Sequence, residues 1–171
     1  MSVTSTSRHE IATQNGHVVC ASFFRPGKEA KAAVLIVSAI GVDQRYYATF
    51  AAWLAAQGYF VVTFDYSGTG VSCNSDVREV KVDIVDWARF DCDAMVHAIT
   101  IEAPGKPLYW VGHSLGGQIL GFVPNMDCVT KVVTVAAGSG YWRENAPQLK
   151  WRAWWLWYVV APLATRVFGY F

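Results

Sequence analysis

The stretch Leu108-Tyr109-Trp110-Val111-Gly112-His113-Ser114-Leu115-Gly116-Gly117 decides how this chain folds. Its first four residues are an unbroken apolar run, as expected of a strand covered on both faces, and Leu115 to Phe122 reads as a helix. Ser114 therefore stands on the bend between a strand and a helix. A side chain at 112 or 116 would collide with the neighbouring strand or helix, so glycine there is a steric requirement, and the bend lifts the Ser114 hydroxyl clear of the sheet. Leu115 opens the helix, so its amide N–H and the helix dipole point to the same side.

Outward from this bend, Ala33–Val37 and Tyr59–Phe64 are two more short apolar runs suited to a parallel sheet buried on both faces. Between them Tyr47, Phe50, Ala51, Leu54 and Ala55 recur at helical spacing, and Gly58 stands where a helix should end. Nearer the start, Ile11–Cys20 reads as two extended segments around Asn15-Gly16, the pair suited to a type I′ hairpin turn. A helix is expected over 80–101, with Val85, Ala88, Cys92, Met95, Val96 and Ile99 on one face and Asp86, Arg89, Asp93 and His97 on another. A strand at Lys131–Val135 follows. Alternation of strands and helices predicts an α/β fold: a mostly parallel sheet of about six strands with flanking helices and an N-terminal antiparallel hairpin.

The 171 residues, 53% hydrophobic and 16% charged, suffice for one domain with a real core and exclude a disordered role. Fourteen Lys and Arg against thirteen Asp and Glu leave a net charge of +1, so no overall field recruits nucleic acid. The four cysteines, Cys20, Cys73, Cys92 and Cys128, form no Cys-x-x-Cys pair and read as buried free thiols rather than a metal site. Residues 1–10 lack the apolar stretch of a signal peptide, and reduced thiols then imply a cytoplasmic location.

Three ordered segments carry a family resemblance: Ser38-Ala-Ile-Gly-Val-Asp-Gln-Arg-Tyr-Tyr47 after the first buried strand, Phe64-Asp-Tyr-Ser-Gly-Thr-Gly-Val-Ser72 after the second, and the Gly112–Gly116 bend. From about residue 8 to 140 the sequence resembles the α/β-hydrolase fold, in particular the group of monoglyceride lipases and serine aminopeptidase-like hydrolases. The resemblance implies a serine hydrolase acting on a small-molecule ester or acyl substrate. Ser114 would be the nucleophile on its elbow, Gly112 and Gly116 the elbow glycines, and the backbone amides of Ile40 and Leu115 the oxyanion hole. Asp65, Gly68 and Gly70 fall to a structural turn beside the site. The family's His-Gly is Ser38-Ala39 here, and Ala39 lacks glycine's conformational range. No metal or organic cofactor is implied.

A serine nucleophile needs a histidine base and an acid to orient it, in this fold in the order Ser, acid, His. No histidine follows Ser114; the four are His9, His17, His97 and His113, and the only later acids are Asp127 and Glu144. His113, beside the nucleophile, should turn its ring away from the serine hydroxyl. The chain is accordingly expected to be the N-terminal part of a longer hydrolase, inactive alone; the alternative is a non-catalytic binding or interaction module of the same fold. The 131–135 strand should then show an open edge.

The expected division is a core over 1–140 and an aromatic-rich helical cap starting at 141–171, where Trp142, Trp151, Trp154, Trp155 and Trp157 cluster. The apolar run 153–165 is shorter than the roughly 20 residues a bilayer span needs. A cap lining an acyl pocket is expected, with peripheral membrane contact through the same tail as its rival. The oligomeric state has no sequence signal.

Overall fold

A computed structural model describes residues 5–73 and 76–169, so Tyr170 and Phe171 of the aromatic tail lie outside the described residues. Six strands form one sheet: β1 (Ser5–Ala12), β2 (Val18–Arg25), β3 (Ala33–Val37), β4 (Phe60–Phe64), β5 (Leu108–His113) and β6 (Val129–Val135), in the order β1-β2-β4-β3-β5-β6. β1, β2 and β4 pair antiparallel, while β4, β3, β5 and β6 run parallel.

Period-2 alternation along the central strands explains why their sequences are apolar throughout. Leu35, Val37, Val62, Phe64, Leu108 and Trp110 enter one core cluster. Val34, Ile36, Val61, Tyr109 and Val111 face the other. The helix α1 (Ala48–Ala56) covers the second cluster through Ala51 and Ala55, and Gly58, at φ +96°, ends it as expected. The first cluster is covered by a π-helical turn (Trp87–Cys92) and α3 (Asp93–Glu102), which run on from the short α2 (Ile84–Asp86). The chain enters α2 through a reciprocal capping box, Asp83 accepting from Asp86 N–H and Asp86 from Asp83 N–H.

Several expectations change in detail. The hairpin turn is not type I′: only Gly16 has positive φ, Gly16 N–H bonds Thr13 C=O at 3.1 Å, and Thr13 N–H bonds His17 C=O at 2.9 Å. That is a turn closed by a left-handed glycine, a longer loop than the two-residue connection. The helix expected from 80 starts at Ile84, and Asp93, placed on the polar face, is buried because its carboxylate accepts the Asn125 side-chain amide at 2.7 Å. After the bend, only α4 (Leu115–Gln118) is α-helical; Ile119–Phe122 tightens into a 3-10 turn. Of the cysteines, Cys92 alone is fully buried, Cys20 and Cys73 are half-buried, and Cys128 is exposed.

The β6 edge is open as anticipated, with Val132, Val133 and Val135 all exposed. Beyond it, α5 (Pro147–Trp155), a π-helical turn (Leu156–Val160) and α6 (Ala161–Phe168) succeed one another. Pro162 cannot donate to the helix ladder, and the π turn lies directly before the segment that contains it. No described helix is long and apolar enough to cross a membrane.

Candidate active site

The bend at Ser114 is a sharp elbow. Ser114 has φ 48° and ψ −110°, a strained region for any residue with a β-carbon, and its N–H is tied to Val135 C=O at 2.9 Å. Gly117 N–H bonds back to Ser114 C=O at 3.0 Å. A β-carbon on Gly112 would lie 2.6 Å from the carbonyl carbon of Gly116, and one on Gly116 would lie 2.6 Å from the carbonyl carbon of Val37. Both approaches are to backbone, which cannot rotate aside, so neither position has room for a side chain. The Trp110 indole N–H donates to Gly116 C=O at 2.9 Å and fastens the helix start to the core. Leu115, as the first helical residue, has an N–H without an intrahelical acceptor.

The second arm is the loop after β3. Ser38 and Ala39 are buried, while Ile40 emerges half-exposed. Ala39 keeps negative φ, and the left-handed position falls on Gly41 at φ +69°, so replacing glycine by alanine at 39 costs the loop nothing in backbone freedom. Two tyrosines hold this loop. Ala39 N–H donates to the Tyr47 hydroxyl at 3.0 Å, and the same hydroxyl lies 2.8 Å from His113 Nδ1. Tyr66 donates its hydroxyl to Ser38 C=O at 3.0 Å while its ring stacks on Trp87 at 4.7 Å. Burial pushes the Tyr47 phenol above its ordinary value and the Tyr66 phenol well above it, so both stay neutral donors. His113 is thus spent on Tyr47, consistent with a ring directed away from the serine.

Asp65 is a structural acceptor, as the resemblance implied. Its carboxylate takes Gln44 N–H at 2.7 Å, Gln44 Nε2 at 3.2 Å and Val71 N–H at 3.0 Å, which ties the loop after β3 to the loop after β4. A β-carbon on Gly70 would overlap the Asp65 carboxyl group. Beneath, Ser67 donates its N–H and its hydroxyl to Asp91, each at 2.7 Å, and burial raises the Asp91 carboxyl to about 6 against those two bonds. Sequence reasoning found neither Gln44 nor Asp91 in these roles: nothing local marks a glutamine or an aspartate whose partners lie over 20 residues away.

Ser114, Leu115 and Ile40 share one cavity of about 400 Å³. Its wall also takes in Ile84 of α2, Gln118 of α4 and the C-terminal segment, there chiefly through Tyr141, Trp142, Trp157 and Tyr158. None of the four histidines lines it: His9 stacks on Phe23, His17 sits in the hairpin turn, His97 is exposed on α3, and His113 bonds Tyr47. Asp127 is exposed, and Glu144 accepts the Ser139 hydroxyl. Among the described residues, no cluster of three or more metal-ligating side chains is present.

The chain is 30% identical over 107 residues to a monoglyceride lipase homologue of monkeypox virus, a match covering 61% of this chain and 37% of that protein. Its fold is similar to a carboxyl esterase of Bacillus coagulans (TM-score 0.64, 18% identity, 76% of this chain and 44% of that one). It is also similar to an α/β serine hydrolase without lid from Xanthomonas campestris (TM-score 0.65, 17% identity, 81% and 64%). The chain thus spans between 37% and 64% of the length of these relatives. The model of the Hydrolase_4 family, described as serine aminopeptidase S33, matches residues 28–166, which takes in both loops, the elbow and most of the C-terminal helix. With that match added to a six-stranded sheet and a serine on a strained strand-to-helix elbow, the chain belongs to this family of α/β-hydrolases.

Proposed function

We propose that the chain carries the nucleophile and oxyanion hole of a serine esterase or lipase-like acyl hydrolase, with the segment from 141 acting as a cap over the serine. The observation that carries this is the shared cavity, in which a half-buried Ser114 stands between Leu115, at a helix start, and Ile40, on the tyrosine-held loop. Ser114 Oγ attacks the ester carbonyl, and its proton passes to a base. The backbone amides of Leu115 and Ile40 hold the negative oxygen, and such donors contribute about 2.7–4 kcal/mol each where their removal has been measured. Collapse expels the alcohol, which takes the proton, and water then cleaves the acyl-serine.

The base and acid come from outside this chain, because no histidine lines the cavity. By itself, then, the chain hydrolyses nothing. The aromatic wall of Tyr141, Trp142 and Trp157 favours an apolar acyl group over a peptide. The thiols of Cys20, Cys92 and Cys128 fit the cytoplasmic setting we propose. The missing histidine also supports a second reading, a binding module that keeps the pocket without the chemistry.

Free imidazole can supply the base. With a short-chain nitrophenyl ester and imidazole, mass spectrometry should find one acyl group on Ser114, absent in Ser114→Ala, and no turnover without imidazole. Acyl transfer that is equal in Ser114→Ala removes the nucleophile assignment and leaves the binding module. Turnover without imidazole that depends on Ser114 shows instead that a base lies within this chain.

A further inference from the structure

One peptide group in the loop after β3 is held at both of its polar atoms. Its carbonyl, on Ser38, accepts the Tyr66 hydroxyl at 3.0 Å, and its N–H, on Ala39, donates to the Tyr47 hydroxyl at 3.0 Å. The next peptide carries the Ile40 N–H, and Ile40 is where the loop enters the Ser114 cavity. Because a peptide group is planar, pinning this one at both ends fixes the plane from which its neighbour turns.

Tyr66 is itself fixed from beneath. Ser67, the next residue, gives its N–H and its hydroxyl to the Asp91 carboxylate, each at 2.7 Å, and its carbonyl accepts the Trp87 indole N–H at 3.0 Å. The Trp87 ring lies flat on Tyr66, the two planes 14° apart. Tyr66, Ser67 and Asp91 are all buried, so these bonds form out of reach of bulk solvent. Asp91 does not line the cavity, and the acyl-transfer steps leave it without a task.

We infer that Asp91 is a positioning residue for the oxyanion hole: it holds Ser67, Ser67 and Trp87 set Tyr66, and Tyr66 sets the Ser38–Ala39 peptide beside the Ile40 amide. The inference rests on the hydrolase reading for its purpose, though not for its geometry. The firmness of the hold depends on charge. An ionised carboxylate accepts both Ser67 donors, and such charge-assisted bonds are about twice as strong as neutral ones. A protonated carboxyl turns one oxygen into a donor, so the Ser67 hydroxyl must reverse to meet it. Burial raises the Asp91 carboxyl to about 6 against its two Ser67 bonds; His17 of the hairpin turn favours the ionised form and Asp86 of α2 opposes it. Tyr66 and Cys92, kept protonated by burial, are its other titratable neighbours. Desolvation outweighs the Ser67 bonds, so the fold as a whole loses stability as Asp91 ionises, while the oxyanion loop is held more firmly. Stability and loop order therefore move in opposite directions through about pH 6, which a purely structural carboxylate would not produce.

The test follows the Ser38 carbonyl and the Ile40 amide by nuclear magnetic resonance across this range, in the parent, Asp91→Asn and Tyr66→Phe. Asn is neutral and of the same shape, so it imitates the protonated acid at every pH. Both signals should shift in the parent with a midpoint near 6, and that step should vanish in Asp91→Asn. His17 and His113 are present in all three proteins, so their contributions cancel in the difference. In Tyr66→Phe the Ser67 amide should still report Asp91 while Ser38 and Ile40 no longer do. Imidazole-assisted acylation of Ser114, at constant free imidazole base, should rise about threefold or more through the same midpoint in the parent and lose that rise in Asp91→Asn. Should Asp91→Asn fail to fold, Ser67→Ala, which keeps the carboxylate and removes one donor, must raise the midpoint seen at Ile40. An Ile40 titration that is the same in the parent and Asp91→Asn overturns the inference, as does an unmoved midpoint in Ser67→Ala or acylation that falls with stability as the pH rises. An Ile40 step that behaves as expected while Ser114 takes no acyl group upholds the positioning and removes the hydrolase reading instead.

Discussion

Replacing Ser114 by glycine should make the protein more stable. The backbone there holds φ 48° and ψ −110°, a conformation in which a β-carbon is crowded and glycine is not. Strain of this kind costs about 1–3 kcal/mol per residue. Glycine in turn gives the unfolded chain extra entropy, an offset of about 0.5–1 kcal/mol. The net gain is about 0.5–2 kcal/mol, or roughly 2–6 °C in melting temperature for a domain of this size. Ser114→Ala is the proper reference, since it removes the same hydroxyl and keeps the β-carbon. Urea unfolding of the two variants should place the glycine midpoint above the alanine midpoint with an unchanged slope. A glycine midpoint at or below the alanine one would mean that no strain is stored at the elbow, and the argument from backbone geometry to a presented nucleophile would lose its physical basis.

Gly112→Ala should destabilise by about 1–3 kcal/mol or more, because its β-carbon meets the Gly116 backbone; Gly121→Ala, where that space is open, should cost under about 1 kcal/mol, both read from urea midpoints. Tyr47→Phe leaves the buried Ala39 N–H without its acceptor and should cost about 1–3 kcal/mol in the same assay, while slowing imidazole-assisted acylation of Ser114. Asp91, raised to about 6 by burial, binds its proton more tightly in the folded chain than in the unfolded one. Stability should therefore fall as pH rises from about 4 to 6, by as much as about 3 kcal/mol. Asp91→Asn should flatten that slope; a parent whose stability rises through this window would contradict the assignment.

The elbow could be read from the chain because its requirement is local. Glycines at 112 and 116 flank one serine between an apolar strand and a helix, and the close approaches that demand them are to backbone. Strands β3, β4 and β5 were equally legible, since burial on both faces writes itself as Ala33–Val37, Phe60–Phe64 and Leu108–Val111. What escaped was non-local. The turn at Thr13–His17 takes its form from a bond that spans the loop, which Asn15-Gly16 does not encode. Asp93 and Cys128 lie opposite to their expected exposures because Asn125 receives one and nothing covers the other. The clamp formed by Tyr47, Ala39 and His113 joins residues from three elements, and only the fold brings them together.

The most direct measurement of the central claim is a crystal structure of the chain with Ser114 converted to an alkyl phosphonate, a tetrahedral group whose oxygen stands where the carbonyl oxygen of an attacked ester would carry its charge. That oxygen should lie within about 2.7–3.1 Å of both the Ile40 and the Leu115 amide nitrogens. An oxygen turned to solvent, or held by one amide while the other faces elsewhere, would contradict the account.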